Sequence, residues 1–384
     1  LLPGSGDLFL RRFVFGVHLA GLYLAGFGAV TLARIAREQL PRFRPLRDRP
    51  VAIAVIGVAA AAAFLAPGFV ERTAWASQGA EWIGEQAVAD AGDGADVAAL
   101  IEIANQRGQG RFYAGMRANW GSSYVVGQVP VYVMLLNQGT DGVGFVRPTW
   151  SLSAPFEYRF TDTNPSHYDL FDVRYLILDE GRQPPVRAER VAGRGRHVLW
   201  ETPDPSYVDI VDVLPPITAD RTNLGLRGAD WFRSDLPRRG ANPGVAFAGH
   251  PAPDPTVTAD DLPGTPAGVV TNQDVDLRDG RATATVIAER PAMVMLKASF
   301  DPRWQVTVDG IPVEPEMIAP SFVGRMVPAG EHVVRFVYEP FPRYDLLLLL
   351  GAATLVGLAV LPARRSRRGP GPRHERRRSV SAKS

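Results

Sequence analysis

Residues 292–340 read AMVMLKASFDPRWQVTVDGIPVEPEMIAPSFVGRMVPAGEHVVRFVYEP and run almost directly into an apolar stretch, Leu346 to Leu361. Short alternating segments divided by turn residues are β-strands in sequence form. Asp309-Gly310 is the strongest turn signal among them, because a two-residue hairpin loop needs φ > 0 and Asp-Gly adopts it cheaply. Ahead of it Trp304, Val306 and Val308 share one face, and Gln305, Thr307 and Asp309 the other. Beyond Pro328-Ala329-Gly330, Val334, Phe336 and Tyr338 resume the alternation. The pattern predicts a compact β-unit that ends at a membrane helix.

Two further apolar runs lie near the N-terminus. Residues 13–33 and 51–70 carry no charged side chain, and about 20 apolar residues rising ~1.5 Å each cross the ~30 Å hydrocarbon core. With residues 344–362 they predict three transmembrane helices. Pro67-Gly68 is expected to break or kink the second, and His18 to lie at an interface or against a neighbouring helix. Residues 34–50 form the loop between the first two, with six arginines at 34, 37, 42, 44, 47 and 49. Such a loop belongs in the cytoplasm by the positive-inside rule. Arg11-Arg12-Phe13 also has the look of an export signal, but the long apolar run and the second span behind it argue against one.

Charge is distributed in the same sense. Lys and Arg against Asp and Glu give +5 over residues 1–70, −11 over 71–345 and +8 over 346–384. Basic ends around an acidic centre fit a multi-pass protein of the bacterial plasma membrane, with residues 71–343 extracytoplasmic and the C-terminus cytoplasmic. The acidic centre also argues against a nucleic-acid partner. The absence of cysteine excludes a disulfide framework and thiolate metal sites. A chain that opens on Leu1 rather than methionine is expected to be part of a longer or processed protein.

Within the centre, residues 71–214 read as an α/β domain. Ala80–Gln106 has helical spacing interrupted at Gly92-Asp93-Gly94, and Val129–Leu136 suits a buried strand or short helix. Tyr168–Leu178 reads as one buried strand in which Arg174 needs a carboxylate or carbonyl partner. Residues 197–201 and 207–213 are further strands of that sheet. Residues 215–266, rich in Pro, Gly, Asp and Arg, read as a loop-rich linker. Residues 267–343 form a β-sandwich-like unit, opened by Val269–Leu277 and Arg281–Ala288 around Asp279-Gly280. The tail, 363–384, is expected to be basic, cytoplasmic and disordered. The fold class is thus membrane α-helical plus an extracytoplasmic α/β and β-sandwich domain.

Catalytic motifs are missing: there is no Gly-x-Ser-x-Gly elbow, no phosphate-binding Gly-Lys-Ser/Thr loop and no His-Glu-x-x-His. The six histidines are too scattered to propose a metal site. Asp90, Asp93 and Asp96 lack the spacing of a calcium loop, and the TDTNPSHYD cluster at 161–169 is turn-like. No metal and no cofactor is expected in this chain. The stretch RFYAGMRANWG gathers Arg111, Tyr113 and Trp120 between glycine turns. Rings that stack on a pyranose face and cations that bind hydroxyls or phosphate make these candidate substrate-binding residues, and they suit a half-buried α/β surface equally well.

Trp304, Asp309-Gly310, Pro312, Phe322, Pro328-Ala329-Gly330, His332, Phe336, Tyr338 and Pro340, followed by a terminal apolar helix, resemble the C-terminal end of bacterial YfhO-type membrane proteins. LFDVRYLIL at 170–178 and RFYAG…NWG…VPVY look like earlier parts of the same domain, and Pro302-Arg303-Trp304 departs from the family's Pro-Gly-Trp. The resemblance covers most of the chain and implies the C-terminal portion of a GT-C glycosyltransferase. Such an enzyme moves a sugar from a polyprenyl-phosphate carrier to an acceptor glycan of the cell envelope. It implies membrane lipid, the carrier-linked sugar and the glycan as partners, and a catalytic acid in a loop between earlier helices, so no residue here is assigned a catalytic role. Trp304 joins Arg111, Tyr113 and Trp120 as a candidate for binding the acceptor. A non-catalytic membrane-anchored envelope protein that binds polysaccharide or a protein partner is the alternative.

Overall fold

The computed structural model describes residues 10–39, 50–144, 151–203 and 205–360; most of the arginine loop and the basic tail lie outside them. Two helices open it, α1 (Leu10–Gln39) and α2 (Pro50–Ala89). Their apolar side chains face outward, Phe27 and Phe64 among the most exposed, and His18 is exposed rather than packed. Helix α2 does not end at Pro67. Proline removes one hydrogen bond locally, and the good helix formers on both sides carry the helix on through it. Nor does Gly92-Asp93-Gly94 interrupt it, for a π-turn over Asp90–Gly94 passes the chain into α3 (Ala95–Arg107) in continuous helical geometry.

The first sheet follows. After β1 (Arg111–Tyr113) come the short hairpin β2 (Val125–Val126) and β3 (Val129–Pro130), then α4 (Val131–Asn137), α5 (Ala154–Glu157) and α6 (Pro165–Leu170). Strand β4 (Val173–Asp179) and the hairpin β5 (Glu189–Arg194) and β6 (His197–Glu201) complete the order β1-β4-β6-β5, with β1 parallel to β4 and the rest antiparallel. The expected strand 168–178 therefore starts late. Pro165 opens α6, whose cap Asn164 accepts the Ser166 amide, and the helix holds the chain to Leu170. The sheet is buried on both faces. Leu176 and Leu178 join the main core, while Tyr175 and Ile177 pack with Val97, Leu100, Ile101 and Ala104 of α3. Arg174 has both kinds of partner expected of it, Glu201 at 2.8 Å and the carbonyls of Gln109 and Arg107.

The rest is mostly β. Strand β7 (Val208–Ala219) is followed by α7 (Leu224–Arg227), α8 (Ala229–Arg233), β8 (Ala241–Phe247), β9 (Gly268–Asp276), β10 (Arg281–Ala288) and β11 (Ala292–Ser299). Then come β12 (Trp304–Val308), β13 (Ile311–Val313), β14 (Glu316–Ile318), β15 (Phe322–Val327) and β16 (Gly330–Tyr338). Strands β11-β15-β14-β8-β7 close a small barrel, and β13-β12-β16-β10-β9 form a five-stranded antiparallel sheet. Strand β7 thus belongs to the barrel and not to the first sheet. The supposed linker supplies β8, which pairs in parallel with β7 and also with β14. The stretch 292–340 is not one unit either: β11, β14 and β15 build the barrel while β12, β13 and β16 build the sheet. Asp309 (φ 53°) and Gly310 (φ 81°) make the two-residue turn between β12 and β13.

Among the described residues two helices, not the expected three, are long and apolar enough to cross a membrane: Gly16–Ile35 and the helix from Ala54 onward. In the separate C-terminal unit, α9 (Tyr344–Val360) has 17 residues, about 26 Å at ~1.5 Å per residue, short of the ~30 Å core.

Candidate functional site

The four residues singled out in the sequence do not converge. Arg111 points from β1 towards the barrel and spends its guanidinium on the protein itself. Nε pairs with Asp141 at 2.8 Å, and the other nitrogens donate to the carbonyls of Phe171 (2.8 Å) and Lys297 (2.6 Å). The Tyr207 ring covers it at 5.2 Å. Burial works against its charge, but Asp141, Tyr207 and Asp172 more than restore it and raise its pKa. Tyr113 is fully buried, accepts Asn119 Nδ2 at 2.7 Å and packs against Trp120, Phe160 and Tyr168. Half-buried Trp120 donates to Asp162 at 2.8 Å beneath the Arg182 guanidinium. Gly121 is there because a Cβ would collide with the Met116 amide of the same loop. Trp304 lies in the five-stranded sheet, donating to the Ser299 carbonyl at 3.1 Å.

The TDTNPSHYD stretch is also consumed locally. His167 Nδ1 accepts the Thr161 amide at 2.9 Å, so Nε2 carries the proton and donates to the Phe232 carbonyl. Burial lowers the pKa of this imidazole, which stacks on the Phe232 ring at 4.2 Å.

An opening that these residues do not share lies beside Arg111. Between α6, the start of β4, the loop before β7, and β11 there is a cleft of about 350 Å³, within the size range of small-ligand sites. Pro165, Pro203, Pro205, Val173 and Val186 give it apolar walls, and Asp172, Lys297, Asp209, Thr202, Ser206 and Arg187 its polar groups. Lys297 is 2 % exposed and donates to the Asp169 carbonyl (2.6 Å) and Asp209 Oδ2 (2.8 Å). It is one of only two lysines among 42 basic residues. A compact ammonium, not the planar fork of the 40 arginines, therefore occupies this point.

Asp172 is the anomaly of the site. It is 3 % exposed, and neither carboxylate oxygen has a partner within strict hydrogen-bond geometry, although the Ser206 backbone amide lies close enough to favour the ionised form. Its backbone is left-handed (φ 51°), a conformation Asp tolerates better than most residues. Burial raises its pKa to about 6, against the opposing pull of Lys297 and Arg111. A buried carboxylate ordinarily has partners, and here one without a full set of donors borders a polar cleft. Perturbed carboxyls in clefts are functional-site candidates on physical grounds. The sequence carried one readable signal for this site, the lone Lys297 within the apolar run MVMLKASF; nothing in LFDVRYLIL marks Asp172.

No protein-family model, curated protein or solved structure matches this chain.

Proposed function

We propose that this chain is the C-terminal portion of an integral-membrane GT-C-type glycosyltransferase of the bacterial plasma membrane. In this reading the enzyme moves a sugar from a polyprenyl-phosphate donor to a cell-envelope acceptor, and residues 71–343 form an extracytoplasmic domain that holds the acceptor. Helices α1 and α2 lie in lipid, and the catalytic acid comes from helices outside this chain. The observation that carries the membrane part is the outward-facing apolar surface of α1 and α2, Leu22, Phe27, Val58 and Phe64 all being more than two-thirds exposed. A surface of that extent is stable against lipid or other apolar helices, not against water. The transferase part rests on the resemblance to YfhO-type proteins.

A second reading is favoured by the internal use of Arg111, Tyr113 and Trp120: a membrane-anchored envelope protein that binds polysaccharide without catalysis. Membranes from cells lacking the full gene separate the two. Loss of radiolabel transfer from a polyprenyl-phosphate sugar to envelope glycan, restored by complementation, is the expected result. Undiminished transfer would overturn the enzyme and leave the binding protein. The placement has its own test. The chain has no cysteine, so Asp254→Cys at an exposed position gives a unique thiol. It should react with a membrane-impermeant maleimide in intact cells, and protection there would reverse the topology.

A further inference from the structure

We infer that the cleft at Asp172 is a binding site for a sugar unit bearing an anionic group, its hydroxyls donating to Asp172 and its anion held by Arg187. The glycan context rests on the proposed function; the ligand chemistry rests on the cleft itself.

The groups present select that chemistry. The oxygens of Asp172 need donors, and the protein offers only the Ser206 backbone amide, outside strict hydrogen-bond geometry. A second ammonium or guanidinium could donate, but Lys297 and Arg111 already act electrostatically on Asp172. Another cation would meet their repulsion. Neutral hydroxyls donate without adding charge. The described residues contain no cluster of His, Cys, Asp and Glu fit to hold a metal ion. At the rim, Arg187 is exposed and makes no hydrogen bond, ion pair or ring contact among the described residues. An unengaged guanidinium is a ready fork for carboxylate or phosphate. Pro165, Pro203 and Pro205 offer flat apolar surface for the C–H face of a pyranose, and Thr202 and Ser206 lie alongside. Thr202 donates its hydroxyl to the Val173 carbonyl, and Ser206 donates to the Val208 carbonyl while accepting Gln273 Nε2, so towards a ligand both act only as acceptors, Ser206 through one remaining lone pair. That again suits a ligand that donates.

Carboxylate and phosphate would serve Arg187 alike, so the probes are glucuronate, glucose 1-phosphate and glucose. They are titrated calorimetrically into the full chain in lipid nanodiscs. Glucuronate or glucose 1-phosphate should bind about tenfold or more tighter than glucose, and the tighter of the two identifies the anion. Arg187→Ala should bring both down to the level of glucose. Asp172→Asn, with its melting transition intact, should weaken all three about tenfold or more. Equal binding of the three, binding of none, or full binding by a folded Asp172→Asn would overturn the assignment. These outcomes are independent of the transferase test: binding without transfer retains the cleft and removes the enzyme, and transfer without binding does the reverse.

Discussion

Two charged residues meet on the seam between the first sheet and the barrel. The Arg111 amide donates to the Asp172 carbonyl at 3.0 Å, so they are backbone neighbours across 60 residues of chain, yet their side chains have opposite fates. Arg111 has an ion pair, two carbonyl acceptors and a ring; Asp172 has only the Ser206 amide beside it, outside strict hydrogen-bond geometry. A saturated buried charge is mortar between two parts of the fold. An unsaturated one is a cost the fold carries, and such costs gather where a ligand is to be met.

That contrast can be broken by substitution. The largest effect belongs to Arg111→Ala, which removes two charge-assisted bonds to carbonyls and the ion pair to half-exposed Asp141 and should destabilise the domain by about 3–5 kcal/mol. Chemical denaturation would show it. Arg111→Lys should recover only a part, since a single ammonium cannot reach three acceptors, and a loss under ~1 kcal/mol for alanine would make the seam looser than described.

Asp172→Asn should act in the other direction and depend on pH. With its pKa raised from 3.8 to about 6, the folded protein binds the Asp172 proton more tightly than the unfolded chain does. Stability therefore falls as pH rises from about 4 to about 6 and stays low above that. The asparagine variant escapes this loss. It should be more stable than the parent by up to about 3 kcal/mol at pH 8 and equal to it near pH 4. Buried His167 and His197, whose pKa values burial lowers, pull the parent's own profile the opposite way. The difference between variant and parent is therefore the quantity to measure, and a difference independent of pH would remove Asp172 from the account. The smallest effect is Trp120→Phe, which loses the bond to Asp162 and should cost about 1 kcal/mol without altering sugar binding in the cleft.

What could be read from the chain followed the range of the interactions concerned. The β12–β13 hairpin was legible because Asp309-Gly310 fixes it locally, and Trp304 and Val306 do face the core. The division of residues 292–340 between barrel and sheet was not, because it depends on pairing with β7 and β8, some 50 to 100 residues away. The helical start at Pro165 was hidden by the apolar run that follows it. The cleft was illegible for the same reason as the barrel. Asp172 and Lys297 are far apart in sequence, and the ring-and-arginine cluster that drew notice, Arg111, Tyr113 and Trp120, turned out to be engaged internally.

The π-turn at Asp90–Gly94 has a mechanical consequence. The helix it lies in runs 54 residues from Ala54 to Arg107, about 80 Å at ~1.5 Å per residue, far longer than a bilayer is thick. Asp93 is clamped by Arg196, which also holds Asp179 and the Val125 carbonyl, and Gln86 ties the preceding turn to Val126 and Gln128. One extra residue in a turn rotates everything beyond it by about 100°, and it is this offset that aims Val97, Leu100 and Ile101 at the sheet. The helix is thus keyed to the first sheet from within the π-turn by Asp93, and to the β2–β3 hairpin from the turn before it by Gln86, so a rotation of α2 about its axis is passed on to the sheet.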